Sequence, residues 1–322
     1  MDSAPPIPSL PIKPKHIYYF HIDIVHGCQL RCVGCPNSTL LPKIKRISIE
    51  DFRTCLGNVD VEQVHTLRLF NFGEPLLHKS LAEIVAVIPQ QSFKTSIVEI
   101  STNAQRVDWQ DFENTLKQEV VNRLVVSCDG DGTPSEYERL RPPSKWTHLI
   151  EFLERARVLR DRWSPALQLI TKTIVRSQED VDRWKSILVP RGWTPEFRGW
   201  MALPESAQNM TGRDITVPSG ACGFLGEPEE FSMHPWHGEI RLLYVDADGT
   251  VVPCCVHPSA GYLGNLKQQK YSEILNGPLR AAFKREMTNN RRGMSICGQC
   301  DIGPVGNEGP SFHSAMFADT SV

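Results

Sequence analysis

HIYYFHIDIVHGCQLRCVGC, residues 16–35, is a β-rich run that ends in a loop of three cysteines, Cys28, Cys32 and Cys35. Alternation along the run puts Tyr19, His21 and Asp23 on one side of a strand. Asp23 is therefore a candidate to line an interior and touch substrate, with a structural hydrogen bond as its plain role. Downstream, β-rich stretches at 65–72, 96–102, 123–127, 166–175 and 196–201 alternate with helix-period stretches at 49–56, 80–88, 109–116, 146–163 and 179–188. The helix pattern is clearest at 146–163, where Leu149, Phe152, Leu153, Ala156, Leu159 and Trp163 recur at i, i+3, i+4 and i+7. Six strands alternating with helices imply βα units around a parallel sheet. In such sheets functional groups gather at the carboxyl ends of the strands. Those ends carry the cysteine loop, then Gly73-Glu74-Pro75, then Thr102-Asn103, then Ser127 with Asp129-Gly130.

The rest of the composition narrows the class. The chain has 322 residues, 35 Lys+Arg against 37 Asp+Glu and a net charge of -2, which gives no field for general nucleic-acid or membrane binding. No apolar run reaches the ~18 residues of a membrane span, and the N-terminus lacks an apolar signal core, so a cytoplasmic protein is expected. Reducing conditions leave the 10 cysteines free for metals or catalysis.

C-x3-C-x2-C on one loop can hold three irons of a cubane and leave the fourth open. With 10 cysteines in 322 residues the spacing arises by chance about 0.01 times. A zinc knuckle is the alternative, with His26 as the one nearby fourth ligand. The ordered motifs resemble the radical S-adenosylmethionine (radical SAM) superfamily over residues 16–201. The resemblance implies an α/β fold, a partial (β/α)6 TIM-like barrel, with a [4Fe-4S] cluster on Cys28, Cys32 and Cys35 whose open iron chelates S-adenosylmethionine. It further assigns Gly73 and Glu74 to the methionine amine, and Thr102, Asn103, Ser127 and Asp129 to the cofactor's carboxylate and ribose. Gly34 replaces an aromatic residue common in the family. Taken singly, Glu74 as a turn cap, Asn103 as a left-handed turn residue and Asp129-Gly130 as an ordinary turn are the plain roles.

After residue 201 the alternation stops. Asp248-Gly249 between β-rich runs signals a hairpin ending at Cys254-Cys255, a helix is expected at 271–287, and Cys297 and Cys300 close the segment. DGTVVPC, GNL and the final C-x2-C resemble the C-terminal SPASM or shorter twitch module of radical SAM enzymes. This implies a loop-rich α+β auxiliary-cluster domain with one auxiliary [4Fe-4S] on Cys222, Cys254, Cys297 and Cys300, with Cys255 as substitute for Cys254; a zinc ribbon is the other reading. The expected organisation is an arm at 1–15, the barrel at 16–205, the auxiliary domain at 206–303 and a flexible tail at 304–322. Cys55 and Cys128 are expected as buried small hydrophobes. His234, His237 and His257 read as surface or substrate-edge residues, and Lys284, Arg285, Arg291 and Arg292 as a solvated face. The resemblance implies reductive cleavage of S-adenosylmethionine and hydrogen abstraction from a substrate C–H, with flavodoxin or ferredoxin as reductant. A dehydrogenase of a sugar or aminocyclitol-like small molecule is favoured over a peptide maturase, a redox-neutral epimerase or lyase, and a non-enzymatic iron-sulfur or zinc scaffold.

Overall fold

The computed structural model describes residues 13–199, 222, 224, 242–255 and 257–300. His234, His237, the tail 304–322 and most of the arm before residue 16 lie outside them. Strand β1 (His16–Ile22) leads to a small ribbon of β2 (Val25–His26) and β3 (Lys45–Arg46), with helix α1 (Pro36–Leu40) between them. The main sheet continues with β4 (Gln63–Arg68), β5 (Lys94–Thr102), β6 (Arg123–Asp129), β7 (Gln168–Ile174) and β8 (Thr194–Arg198). These five follow β1 across the sheet in sequence order, every pair parallel. Right-handed crossovers between consecutive neighbours place their helices on one face, which is how a βα barrel winds.

Helices α2 (Ile49–Gly57), α3 (Leu81–Val87), α4 (Trp109–Leu116), α5 (Pro134–Leu140), α6 (Trp146–Trp163) and α7 (Gln178–Leu188) make those crossovers. Their starts are set locally: Ser48 and Asp108 accept the first free N–H groups of α2 and α4, and Ser177 with Asp180 closes a capping box on α7. Helix α5 has no apolar period long enough to reveal it, yet Thr133 caps it and Pro134 opens it. Toward the helices the sheet presents Phe20, Ile22, Leu67, Val98, Ile100, Leu124, Val126, Leu169 and Phe197, all buried. Strand register puts Tyr19, His21, Arg68, Glu99, Arg123, Ser127 and Lys172 on the opposite, inner face.

The C-terminal hairpin does not stand apart. Strand β9 (Leu242–Val245) pairs parallel with β1, β10 (Thr250–Val252) folds back on it, and β11 (Gly264–Asn265) completes a nine-stranded sheet. Gly249, with φ 85°, makes the expected turn after Asp248. The helix expected at 271–287 is two helices, α8 (Tyr271–Leu275) and α9 (Pro278–Asn289). Pro278 lacks the N–H that would continue the first and instead opens the second. Among the described residues no helix is long and apolar enough to cross a membrane.

The stripe read from 146–163 is core: Leu149, Phe152, Leu153 and Ala156 are buried, and Phe152 packs on Trp109 and Phe112 at 5.5 and 5.7 Å. Phe152→Ala should cost about 3–5 kcal/mol in urea unfolding, whereas Arg155→Ala, whose side chain lies over the outer ring of Trp109, should cost about 1 kcal/mol or less.

Candidate functional site

Asp23 follows β1 and is fully buried, with its own N–H donating to the Val245 carbonyl at 2.8 Å. Its carboxylate accepts the backbone N–H groups of Asn71 at 2.6 Å, Phe72 at 3.0 and 3.1 Å and Gly73 at 3.0 Å. The expected substrate-facing role is thereby corrected: its lone pairs are engaged by the turn after β4, and Asp23 positions that turn. Gly73 is pressed against β2 so closely that a Cβ would overlap the Val25 carbonyl oxygen, and the Glu74 N–H donates to the Gly27 carbonyl at 3.1 Å.

Glu74 is buried at the next strand end. Its carboxylate accepts the Thr102 hydroxyl at 2.7 Å, the Asn103 N–H at 2.7 Å and the Leu76 N–H at 3.0 Å. Burial pushes its pKa up, and those three donors pull against that shift. Thr102 also accepts the Ala104 N–H, so its hydroxyl is committed within the protein and not aimed at a cofactor. Asn103 reaches the cysteine loop itself, its amide nitrogen 3.3 Å from the Cys28 sulfur, and pairs with the Gln29 amide at 3.0 and 3.3 Å.

The loop is held open by its backbone. Arg31 donates to the Cys28 and Leu30 carbonyls at 2.8 Å, Ser38 to the Cys32 carbonyl at 2.6 Å, and the Arg31 and Val33 N–H groups to Pro142 and Leu140. Burial pushes the Cys28 thiol up to about 12 and Cys32 to about 11, and raises Cys35 as well. Thiols that resist ionisation without a counter-charge are matched by a group that brings metal cations.

Arg141 is the site residue that sequence reading missed, because nothing in RLRPP distinguishes a buried arginine from an exposed one. It is buried, pairs with Asp129, lies within electrostatic reach of Cys32, and leaves its Nε without a hydrogen-bond partner. Asp129, expected to reach the cofactor, is thus occupied by Arg141 instead. Ser127 lies on the inner face in register with Lys172.

The distal cysteines form two groups. Cys297 is raised by burial and by the neighbouring Cys222 and Cys300. Arg291 donates to the Cys297 and Cys300 carbonyls, so it belongs to this loop and not to a solvated face. Cys254 is half-buried and Cys255 exposed; both neighbour Tyr244, whose hydroxyl bonds Cys255 and whose ring lies 4.9 Å from His21 on the inner face. His257 is buried, its Nδ1 accepting the Ser259 N–H, and is no surface residue. Cys55 and Cys128 are buried as expected. Among the described residues no three His, Cys, Asp or Glu side chains converge as a single bare ion requires.

The family described as SPASM, an iron-sulfur cluster-binding domain, matches residues 237–301. The GTP 3',8-cyclases of Nitrobacter winogradskyi and Desulforamulus reducens are 26% and 27% identical over 117 and 118 residues, 36% of this chain and 34% and 35% of theirs. The chain thus matches about a third of the length of these curated relatives. Among solved structures, BtrN in complex with AdoMet and 2-DOIA has a TM-score of 0.53 at 15% identity, covering 90% of this chain and 94% of that one. Native anSMEcpe with bound AdoMet has a TM-score of 0.57 at 14% identity, covering 90% and 92%.

Asp23 gives this site a pH signature. Burial raises it to about 6, and Asp246 moves the same way to about 7 through burial and the neighbouring Asp23. The folded chain therefore holds the Asp23 proton more tightly than the unfolded one, a contribution complete below about pH 4 and lost as pH rises through 6. Asp23→Asn should remove about 3 kcal/mol of the stability loss between pH 4 and 7, measured as urea midpoints; an unchanged slope would mean that Asp23 does not titrate there. Residues 237–301 thus match an iron-sulfur cluster-binding domain, and the parallel sheet with its crossover helices is the fold shared with the two AdoMet-bound structures.

Proposed function

We propose that the chain is a radical SAM enzyme that oxidises a C–H carbinol of a sugar or aminocyclitol-like small molecule. Cys28, Cys32 and Cys35 would hold the open [4Fe-4S] cluster, and Cys222, Cys297 and Cys300 with Cys254 an auxiliary one in a domain spanning 206–303. When bound, the cluster and S-adenosylmethionine supply a 5'-deoxyadenosyl radical that takes hydrogen from carbon, and the auxiliary cluster supplies an acceptor for the remaining electron.

The residues do the positioning. Glu74, fixed by Thr102, Asn103 and Leu76, keeps a desolvated carboxylate for the methionine amine. Arg141, fixed by Asp129, offers its unpartnered Nε to the methionine carboxylate. Asn103 fixes the Cys28 sulfur, and the paired Gln29 amide keeps Asn103 in place.

The observation that carries the oxidation is Tyr244. It stands on the inner face beside His21 and touches the Cys254-Cys255 end of β10, so a cluster ligated there adjoins the barrel interior. The fold shared with BtrN, whose structure holds a small molecule, favours the same reading. Peptide modification is the second reading, favoured by the fold likeness to anSMEcpe with bound Cp18Cys peptide, TM-score 0.57 against 0.53 for BtrN.

Anaerobically reconstituted protein should hold about eight irons, and about four after Cys28, Cys32 and Cys35 are replaced together by Ala. Stoichiometric zinc without iron would overturn the assignment. With the reduced protein and S-adenosylmethionine, 5'-deoxyadenosine should form. A folded Cys297→Ala/Cys300→Ala protein should still release it yet yield no oxidised product; completed oxidation at the normal rate would make the auxiliary site structural.

A further inference from the structure

The inner face of the sheet is charged below the strand ends, where a closed βα barrel ordinarily packs branched apolar side chains. Glu99 on β5 is fully buried at its centre. Arg68 Nε approaches one Glu99 oxygen at 3.0 Å and Lys172 Nζ the same oxygen at 3.8 Å, while Arg123 Nη1 lies 3.4 Å from the other. Three cations from β4, β6 and β7 thus share one carboxylate, and it is the one carboxylate within ion-pair distance of any of them among the described residues. The surplus is two positive charges. Glu196 and Arg198, next on this face at β8, are exposed and oppose each other in sign.

Glu196 acts on Lys172 but is countered there by Arg198, and the other neighbours add no anion. His21, 3.2 Å from Arg68 Nη1, is driven down to about 3 by burial and by that guanidinium, so it is neutral. The Arg68 guanidinium lies 4.0 Å over the Tyr19 ring, which fixes its plane. Its pairing with Glu99 is also incomplete: despite the 3.0 Å contact, neither Arg68 Nε nor that Glu99 oxygen has an aligned hydrogen bond. The side chains of Arg68, Arg123 and Lys172 keep 16%, 28% and 28% exposure against 0% for Glu99, so a molecule entering the interior meets the cations and not the carboxylate. Cations drawn together in a partly dry space are stabilised by an oxyanion, and guanidinium groups match its paired oxygens.

We propose that Arg68, Arg123 and Lys172 form an oxyanion subsite in the barrel interior that takes a carboxylate or phosphate group of the substrate. This rests on the enzymatic reading above and sharpens it: the substrate is acidic, a sugar acid or phosphorylated polyol, and not an aminocyclitol whose ammonium groups these cations would repel. Glu99 holds the cations in place and tempers their charge.

The test is calorimetric titration of the reconstituted full chain with inorganic phosphate and, separately, acetate, with methylammonium as the cationic control. At least one oxyanion should bind with a millimolar Kd, about −4 kcal/mol, and methylammonium should not; the tighter of phosphate and acetate names the group. Lys172→Met, which keeps its aliphatic packing, should weaken that binding by about tenfold, and Glu99→Gln should tighten it by a similar factor, because the competing anion is gone. No binding of either oxyanion, equal binding by Lys172→Met, or displacement of the anion by S-adenosylmethionine would overturn the subsite. Formation of 5'-deoxyadenosine in parallel reactions separates failure of this proposal from failure of the enzymatic reading.

Discussion

The site depends on one buried carboxylate and the three backbone N–H groups that point at it. Asp23 ends the first strand, and the N–H groups of Asn71, Phe72 and Gly73 end the second. A turn whose amides have no ladder partner would be costly inside the protein, and so would a carboxylate without donors. Each cost is reduced by the other, which ties two neighbouring strand ends together. Gly73 then lies flat against Val25, Glu74 is carried beneath the cysteine loop, and Thr102 and Asn103 from the third strand complete its hydrogen bonds.

The C-terminal segment is tied into the same arrangement. Because β9 extends the sheet at the free edge of β1, the Val245 carbonyl receives the Asp23 N–H and Tyr244 faces His21. Among the described residues, the loop leaving β1 and the Cys254-Cys255 end of the hairpin are therefore linked through one continuous sheet. An edge that would otherwise expose unpaired backbone groups is covered by the hairpin that carries Cys254 and Cys255 to its end.

Much of this was legible in the sequence because it is written in period and spacing. Alternation assigned Tyr19, His21 and Asp23 to one face, helical period found the core stripe of 146–163, and the cysteine loop, Gly73-Glu74, Thr102-Asn103 and Ser127 fell at successive strand ends. What escaped depends on partners distant in the chain. Alternation gives Asp23 a face but cannot show that backbone amides 48 to 50 residues away consume its oxygens. Arg141 and Arg291 look like any surface arginine until the fold buries one beside Cys32 and turns the other onto the Cys297 and Cys300 carbonyls. The break between α8 and α9 was readable, since Pro278 stands inside the expected helix.

The proposed cofactor seat rests on Asp23 positioning the turn that carries Glu74. Its most direct test is the equilibrium affinity of iron-loaded Asp23→Ala protein for S-adenosylmethionine, with the cluster spectrum as the check that the cysteine loop is intact. Binding should weaken by at least about tenfold, because three freed amides let the turn leave the loop. Wild-type affinity in a folded, iron-loaded Asp23→Ala protein would contradict it.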